Sequence, residues 1–403
     1  MPKNKVVLAY SGGLDTSVSV KWIQEKYDSD VVTLTLDLGQ EEDLNQIAEK
    51  AKSLGALKHY SLDMKDTFAN DYVIQSVKAN GLYEGKYPLS TALGRPLIAK
   101  KLVEIAEKED AYAVAHGCTG KGNDQVRIDV TVKALNPALK IIAPVREWGL
   151  TRDQEIAYAK ENGVPISAEG SVYSIDQNIW GRSIESGVLE DPEIEPPNNA
   201  FEWVVPPEEA PDRATYVRVG FEKGVPVSID GEELSTLELI RRMNRIAGKN
   251  GIGIIDHIED RLVGIKSREV YECPAATVLL EAHKELEKLV LTRHQLSFKH
   301  MVDQAWSELV YTGLWVDPLK ENLDSFINSS QEKVSGTVTI KMYKGTSRIV
   351  GRSSAYSIYN LHLATYSSAS KFNQNFAEGF IEFWGLPSRV AKIRDSIQKV
   401  TVK

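Results

Sequence analysis

The residues best suited to chemistry lie near the N-terminus. Residues 11–17 read SGGLDTS and follow directly on an apolar run, residues 5–10 (KVVLAY). Adjacent glycines after such a run permit the positive φ that turns successive backbone N–H groups into one concavity. A helix starting at Leu14 would add the partial positive charge of its N-terminus, and Ser11, Thr16 and Ser17 would add hydroxyl donors. That set suits the phosphates of a nucleotide. Asp15 repels phosphate unless a magnesium ion stands between, or unless it caps the turn's own amides. The turn lacks the Lys-Ser/Thr ending of a P-loop and the third glycine of a dinucleotide fingerprint. A second loop, residues 116–127 (HGCTGKGNDQVR), carries Gly117, Gly120 and Gly122. The spacing puts Asn123 and Arg127, and Asp124 and Arg127, on one face of the helix that follows. Taken alone, this loop also fits a helix cap at Asn123 or Asp124 with a surface arginine. Two glycine-rich loops in one domain point to a shared site.

Such loops need parallel strands behind them. Apolar runs at residues 5–10, 30–36, 57–62, 111–115 and 141–144 read as buried strands. Between them, helical spacing covers residues 14–27, 42–54, 67–78 and 95–108, the last with Pro96 in its first turn. Thr151 is expected to cap a further helix reaching Asn162. Alternating strands and helices predict an α/β domain with a parallel sheet and ligands beyond the strand C-termini. After Pro165 the pattern changes. Residues 191–212 hold six of the 16 prolines and read as a long surface loop. Residues 217–221 and 225–229 read as a hairpin. Ser235 and Glu238 form a capping box ahead of an amphipathic helix. Residues 275–291 are helical, and residues 334–342 turn back at Lys344-Gly345 into 348–352, so this half is α+β. Val390, Ile393, Ile397 and Val400 make an apolar stripe on a terminal helix. The expected domains are residues 1–165 for nucleotide binding, 166–365 for the second substrate, and 366–403 as a C-terminal arm.

Composition narrows the function. The 403 residues are 42% hydrophobic and 26% charged, with a net charge of −8. That balance argues against a nucleic-acid binder driven by phosphate contacts. Cys118 and Cys273 are the two cysteines, too few for a disulfide framework, a zinc cage or a CxxC pair. No apolar run is long enough for a signal-peptide core or a transmembrane helix, so a cytoplasmic protein is expected. The histidines lack metal-ligand spacing, and no residue stands out as a general base.

SGGxDxS is the signature of the PP-loop ATP pyrophosphatases, which split ATP between the α and β phosphates. The second loop is more specific, because HGCTGKGNDQVR resembles the matching segment of the argininosuccinate synthase family. The resemblance continues through residues 87–96 (YPLSTALGRP) and 174–180 (SIDQNIW), then GRSIESGVLEDP, GIGIIDHIEDRLVGIKSREVYECPA and ELVYTGLW, in order along the chain. It implies a PP-loop domain of the adenine nucleotide alpha hydrolase type, an α+β synthetase domain and a C-terminal oligomerisation arm in a homotetramer. It also implies that citrulline and aspartate are joined at the expense of ATP, with Mg²⁺ accompanying the nucleotide. By the same resemblance, Ala9, Tyr10, Ser11, Gly12, Gly13, Leu14, Asp15, Thr16, Ser17 and Gly117 hold ATP, with adenine near Leu36. Thr119, Asn123 and Asp124 hold aspartate. Tyr87, Thr91, Asn123, Arg127, Ser174, Ser183, Glu259 and Tyr271 hold citrulline. The sequence departs from the family in having Ala92 where several members carry a hydroxyl residue, which leaves more to Thr91 and Arg127. Two rivals are weaker. A tRNA thiolase should show a cysteine pair and a basic face, and a nucleotide sensor has no use for the second loop.

Overall fold

A computed structural model describes residues 3–149, 152–165 and 173–401. The chain divides into two compact units, residues 1–356 and 357–403. The first unit opens with β1 (Asn4–Ala9), α1 (Leu14–Tyr27), β2 (Ser29–Asp37), α2 (Leu44–Ser53) and β3 (Lys58–Asp63). A continuous helical run follows, α3 (Lys65–Thr67) and α4 (Ile74–Lys78) around a π-turn at Phe68–Val73. Then come α5 (Ser90–Lys108), β4 (Ala113–Ala115), α6 (Asp124–Leu135), β5 (Lys140–Ile142), α7 (Pro144–Trp148) and α8 (Arg152–Glu161). The five strands form one parallel sheet in the order β3-β2-β1-β4-β5. Val6, Val7 and Leu8 are fully buried, because helices cover both faces of the sheet.

The strand order decides where a ligand can sit. From β1 the chain steps outward to β2 and β3, then returns to the other side of β1 for β4 and β5. The crossovers on the two sides open a crevice beyond the C-terminal ends of β1 and β4. Those are the strands that lead into the two glycine-rich loops.

The remainder of the first unit is mainly antiparallel. Two hairpin strands, β6 (Ser174–Asn178) and β7 (Gly181–Glu185), precede the proline-rich stretch. That stretch is tied down by Glu272, a fully buried carboxylate that accepts from the amides of Trp203 and Val204 and from Arg182. Next are β8 (Thr215–Glu222), β9 (Val225–Ile229) and the short β10 (Glu232–Glu233). The helix α9 (Thr236–Lys249) is capped by the Ser235 hydroxyl, which accepts from the Glu238 amide. After it come β11 (Ile254–Asp260), β12 (Lys266–Glu272), α10 (Pro274–Val290), α11 (Arg293–Tyr311), α12 (Pro318–Gln331), β13 (Gly336–Tyr343) and β14 (Thr346–Ser353). One sheet runs β10-β9-β8-β13-β14 and the other β11-β12-β7-β6. The turn between β6 and β7 joins the second of these to the parallel sheet, where the Ile179 amide donates to the Leu38 carbonyl at 2.9 Å.

Two expectations need correction. The helix expected from residue 95 begins at Ser90, so Pro96 lies inside it rather than in its first turn. The early start is hidden because no Ser, Thr, Asn or Asp caps it. The residue before it is Leu89 at φ 63°, and the amide of Thr91 donates to the Tyr87 hydroxyl at 2.9 Å. The Asn178 amide group in turn caps the Ser90 carbonyl at 2.8 Å. The strand expected at residues 141–144 ends at Ile142, and Pro144 opens a short helix, as proline at a first helical position does. Thr151, the expected cap of α8, lies outside the described residues.

The second unit contains α13 (Leu361–Ala364), α14 (Phe376–Trp384) and α15 (Leu386–Thr401). Its apolar side chains are exposed, including Phe376, Phe383, Trp384, Val390 and Ile393. Phe380 and Trp384, one turn apart, stack at 5.4 Å.

Candidate active site

The first loop is held by its own side chains. Gly12 adopts φ +77°, where a Cβ would also come within 3.1 Å of Ile47 Cγ1. The Gly12 carbonyl accepts from Lys50 Nζ at 2.6 Å, and the Ser11 and Thr16 hydroxyls lie 3.1 Å apart across the turn. The second loop touches the first: a Cβ on Gly117 would lie 2.9 Å from Thr16 Cγ2. Behind it, the imidazole of His116 accepts from the Cys118 amide at Nδ1, so its other nitrogen donates to Asp129 at 2.8 Å.

Between these loops lies a cavity of about 530 Å³. Of the residues expected to hold ATP, Ala9, Tyr10, Ser11, Gly13, Asp15, Thr16 and Gly117 line it. Gly12, Leu14 and Ser17 are not part of that lining. Ser17 is fully buried and lies 3.2 Å from the Tyr10 hydroxyl. The far side is an apolar slot of Leu34, Leu36, Leu38, Ile98 and Ile128. Its size and mixed lining are those of a small-molecule site.

A second cavity, about 120 Å³, adjoins it and shares Asp176 as lining. Of the residues expected to hold citrulline and aspartate, it is lined by Tyr87, Thr91, Thr119, Asn123, Asp124, Arg127, Ser183, Glu259 and Tyr271. Ser174 is not among them; it is an exposed residue at the start of β6. Glu259 reaches the cavity from β11, Tyr271 from β12 and Ser183 from β7. The register pairs Tyr271 with Ser183 across two neighbouring strands, so both face the same side.

The small cavity is a charged chamber. Arg127 Nε donates to the Tyr311 carbonyl and Nη1 to Asp124, each at 2.9 Å. Its Nη2 is buried with no hydrogen-bond partner among the described residues. A buried guanidinium with one idle donor is costly unless a ligand answers it. Asp124 also accepts from Arg95 at 2.8 Å. Burial alone would raise the Asp124 carboxyl, but Arg95 and Arg127 together hold it below its usual range. Glu259 accepts from Tyr271 at 2.9 Å and from Tyr311 at 3.0 Å. Its pKa is raised by burial, against the two hydrogen bonds. Glu269 is pushed up to about 7, chiefly by burial and then by its neighbour Glu185, with Arg261 opposing. Five carboxylates face two guanidiniums on this wall, which suits a ligand carrying an ammonium.

Several of these residues were not singled out by sequence reasoning. Arg95 looked like an ordinary helix-start residue. Asp176 lay in residues 174–180, a segment that carried part of the family resemblance but gave this carboxylate no role. Arg261 followed Glu259 and Asp260 in a stretch that also fits a solvated charge run, and Glu269 and Tyr311 were given no role. Tyr311 in fact receives the Asn123 amide group at 2.8 Å and stacks on Tyr83. Besides the family resemblance, the one available signal was polar residues recurring at alternate positions, as in His257 and Glu259 or Ser267, Glu269 and Tyr271, which places them on one strand face only once the sheet is known.

Among the described residues, no group of three or more His, Cys, Asp or Glu is placed to hold a metal ion. No helix among them is long and apolar enough to cross a membrane.

The chain's relatives are consistent along its length. Residues 5–165 match the arginosuccinate synthase N-terminal HUP domain, and residues 173–391 match the arginosuccinate synthase C-terminal domain. The argininosuccinate synthase of Pyrococcus furiosus is 57% identical over 387 residues, covering 96% of this chain and 94% of that one. That of Oceanobacillus iheyensis is 55% identical over 410 residues, covering 100% and 98%. That of Bacillus cytotoxicus is 57% identical over 391 residues, covering 97% of each. Matched by both domains of one family and more than half identical to its members over nearly its whole length, the chain belongs to the argininosuccinate synthase family.

Proposed function

We propose that this chain joins citrulline to aspartate with ATP, forming argininosuccinate, AMP and pyrophosphate. One observation carries the reading: the nucleotide-sized cavity over the glycine turn and the charged chamber meet at a common wall, Asp176. The first chemical step needs that meeting. The ureido oxygen of citrulline forms a bond to the α-phosphorus of ATP, while the bond from that phosphorus to the β-bridging oxygen breaks. The electron pair leaves with pyrophosphate. The aspartate amine then attacks the ureido carbon, and AMP leaves with its oxygen.

The residues suit these roles. The turn at Ala9–Ser17, with Gly117, holds the phosphates through amides and hydroxyls, and the leucine slot takes adenine. The departing pyrophosphate stays stabilised where it forms. Arg127 Nη2 takes the citrulline carboxylate, assisted by Thr91. Glu259, with Ser183, Tyr87 and Tyr271, surrounds the citrulline ammonium. Thr119, Asn123 and Asp124 take aspartate, with Asn123 also reaching citrulline. Ser174 has no place in this assignment. Mg²⁺ would accompany ATP, with its ligands mainly phosphate oxygens. The second unit serves assembly as a homotetramer, and the protein works in the cytoplasm.

The test is an assay of AMP and pyrophosphate with ATP, citrulline and aspartate, leaving out each in turn. Release of AMP that requires all three, together with citrulline-dependent exchange of labelled pyrophosphate into ATP without aspartate, is the expected result. Product formation without citrulline would overturn the reading.

A further inference from the structure

The larger cavity has an uneven distribution of charge. Among the described residues, Arg95 is the one lysine or arginine on its wall. The nearest lysine of the first loop, Lys50, is engaged with the Gly12 carbonyl and does not line the cavity. The turn's amides therefore face one end of a bound polyphosphate, and a single guanidinium faces the rest.

Arg95 is also held at the junction of the two cavities. Its Nη2 donates to Asp124, which lines the small chamber, and to Asp176, which lines both. Both bonds leave from the same nitrogen. Among the described residues, Nε and Nη1 make no hydrogen bond, and they are not among the buried atoms lacking a partner. The head group is thus anchored by one corner, with the other donors of its planar fork available to an anion. The anchor is rigid, since Asp124 is itself fixed by Arg127 and Asp176 sits on β6 beside the strand carrying Ser183.

We infer that Arg95 is a catalytic residue that donates hydrogen bonds to the non-bridging oxygens of the α-phosphate as the ureido oxygen attacks it. The inference rests on the reaction proposed above, which brings the α-phosphorus and the ureido oxygen together where the cavities meet. During attack, negative charge is shared by the α-phosphate oxygens while the phosphorus–oxygen bond to pyrophosphate breaks. No proton needs to move. The ureido carbon of the product carries a cationic isouronium group, so one site must stabilise an anion and a cation side by side. Arg95 meets the first need. Asp124 and Asp176 position Arg95 and face the second. A preorganised donor of this kind is worth about a hundred- to a thousandfold in rate.

The experiment measures citrulline-dependent ATP–pyrophosphate exchange in the full chain. Arg95→Ala should lower the exchange kcat by about a hundred- to a thousandfold, with KM for ATP rising by less than about tenfold. Guanidinium at sub-denaturing concentration should restore exchange to Arg95→Ala in a saturable way and leave the wild type unaffected. A merely structural role would show no such rescue. Arg95→Lys keeps a cation beside Asp124 and Asp176 but loses the fork, and should remain at least about tenfold slow with the fold intact. The inference is overturned if Arg95→Lys exchanges at the wild-type rate, or if a folded Arg95→Ala does so or is slow without any response to guanidinium. Wild-type chain that shows no citrulline-dependent exchange would instead remove the proposed reaction itself, so the two failures read differently.

Discussion

The two cavities are built on opposite principles. The larger one is made of backbone: a glycine turn, a second glycine loop pressed against it, and an apolar slot on parallel strands. The smaller one is made of side chains, with carboxylates and guanidiniums brought in from α6, β6, β7, β11, the turn after β11 and β12. Backbone amides present a fixed, weakly charged surface that needs no partner when a ligand is absent. Buried charges must be paired, and the chamber does this with Arg127–Asp124, Arg95–Asp176 and Arg261–Glu269. On the proposed assignment, the first design would recognise a group common to all nucleotides. The second would recognise one particular arrangement of charge, so on the same assignment specificity for the amino-acid substrates belongs there.

The contrast can be broken most severely at the turn. Gly12→Val should reduce pyrophosphate release by at least about a thousandfold, because a β-branched residue resists positive φ and would press on Ile47. Circular dichroism should show the fold retained. A folded variant with near-normal turnover would remove the turn from the phosphate site.

Next in size is the chamber's idle donor. Arg127→Lys keeps the charge but loses the fork, and should raise KM for citrulline by about ten- to a hundredfold. KM for ATP should change by less than about threefold if the two cavities recognise their ligands separately. Parallel rises in both constants would mean that the division is false.

A smaller effect should appear in the pH dependence of the chamber alone. Glu269, held up to about 7, is protonated below that value and charged above it. An ammonium ligand favours the charged form, so KM for citrulline should fall by a few-fold, about three to ten, between about pH 6 and pH 8. Glu269→Gln should flatten that slope and leave the KM for ATP profile as it was. The sign for stability is the reverse. A carboxyl raised above its unfolded value takes up a proton on folding, so stability falls as pH rises from about 5 to about 7, and the same substitution should lessen that fall in urea titrations.

The least effect on chemistry is expected from the second unit, which holds none of the residues assigned to substrates above. Removing residues 387–403 should lower the mass measured by light scattering at matched concentration, with kcat per chain altered by less than about twofold. An unchanged mass and concentration dependence would assign α15 to its own chain.

How much of this was legible beforehand follows the same contrast. The parallel strands and their helices were readable because each is a local pattern: an apolar run, a 3.6-residue stripe, a glycine at a turn. The glycine turn at residues 11–17 was readable because such a turn is contiguous in sequence and depends on glycine. The start of α5 was not readable, since its first amides are met by a tyrosine hydroxyl rather than by a local cap. Arg95, Asp176, Arg261 and Glu269 were unreadable for a related reason. Each is an ordinary charged residue in its own neighbourhood. Arg95 and Asp176 are 81 residues apart, and Asn123 meets the turn at Leu262 across 139. The sequence by itself therefore determined the glycine turn, the α/β sheet that carries it and the order of strands and helices. The tertiary structure decided which charges are removed from water and set against each other, because the role of a charged side chain depends on its burial and partners, and those come from strands that pair only in the folded chain.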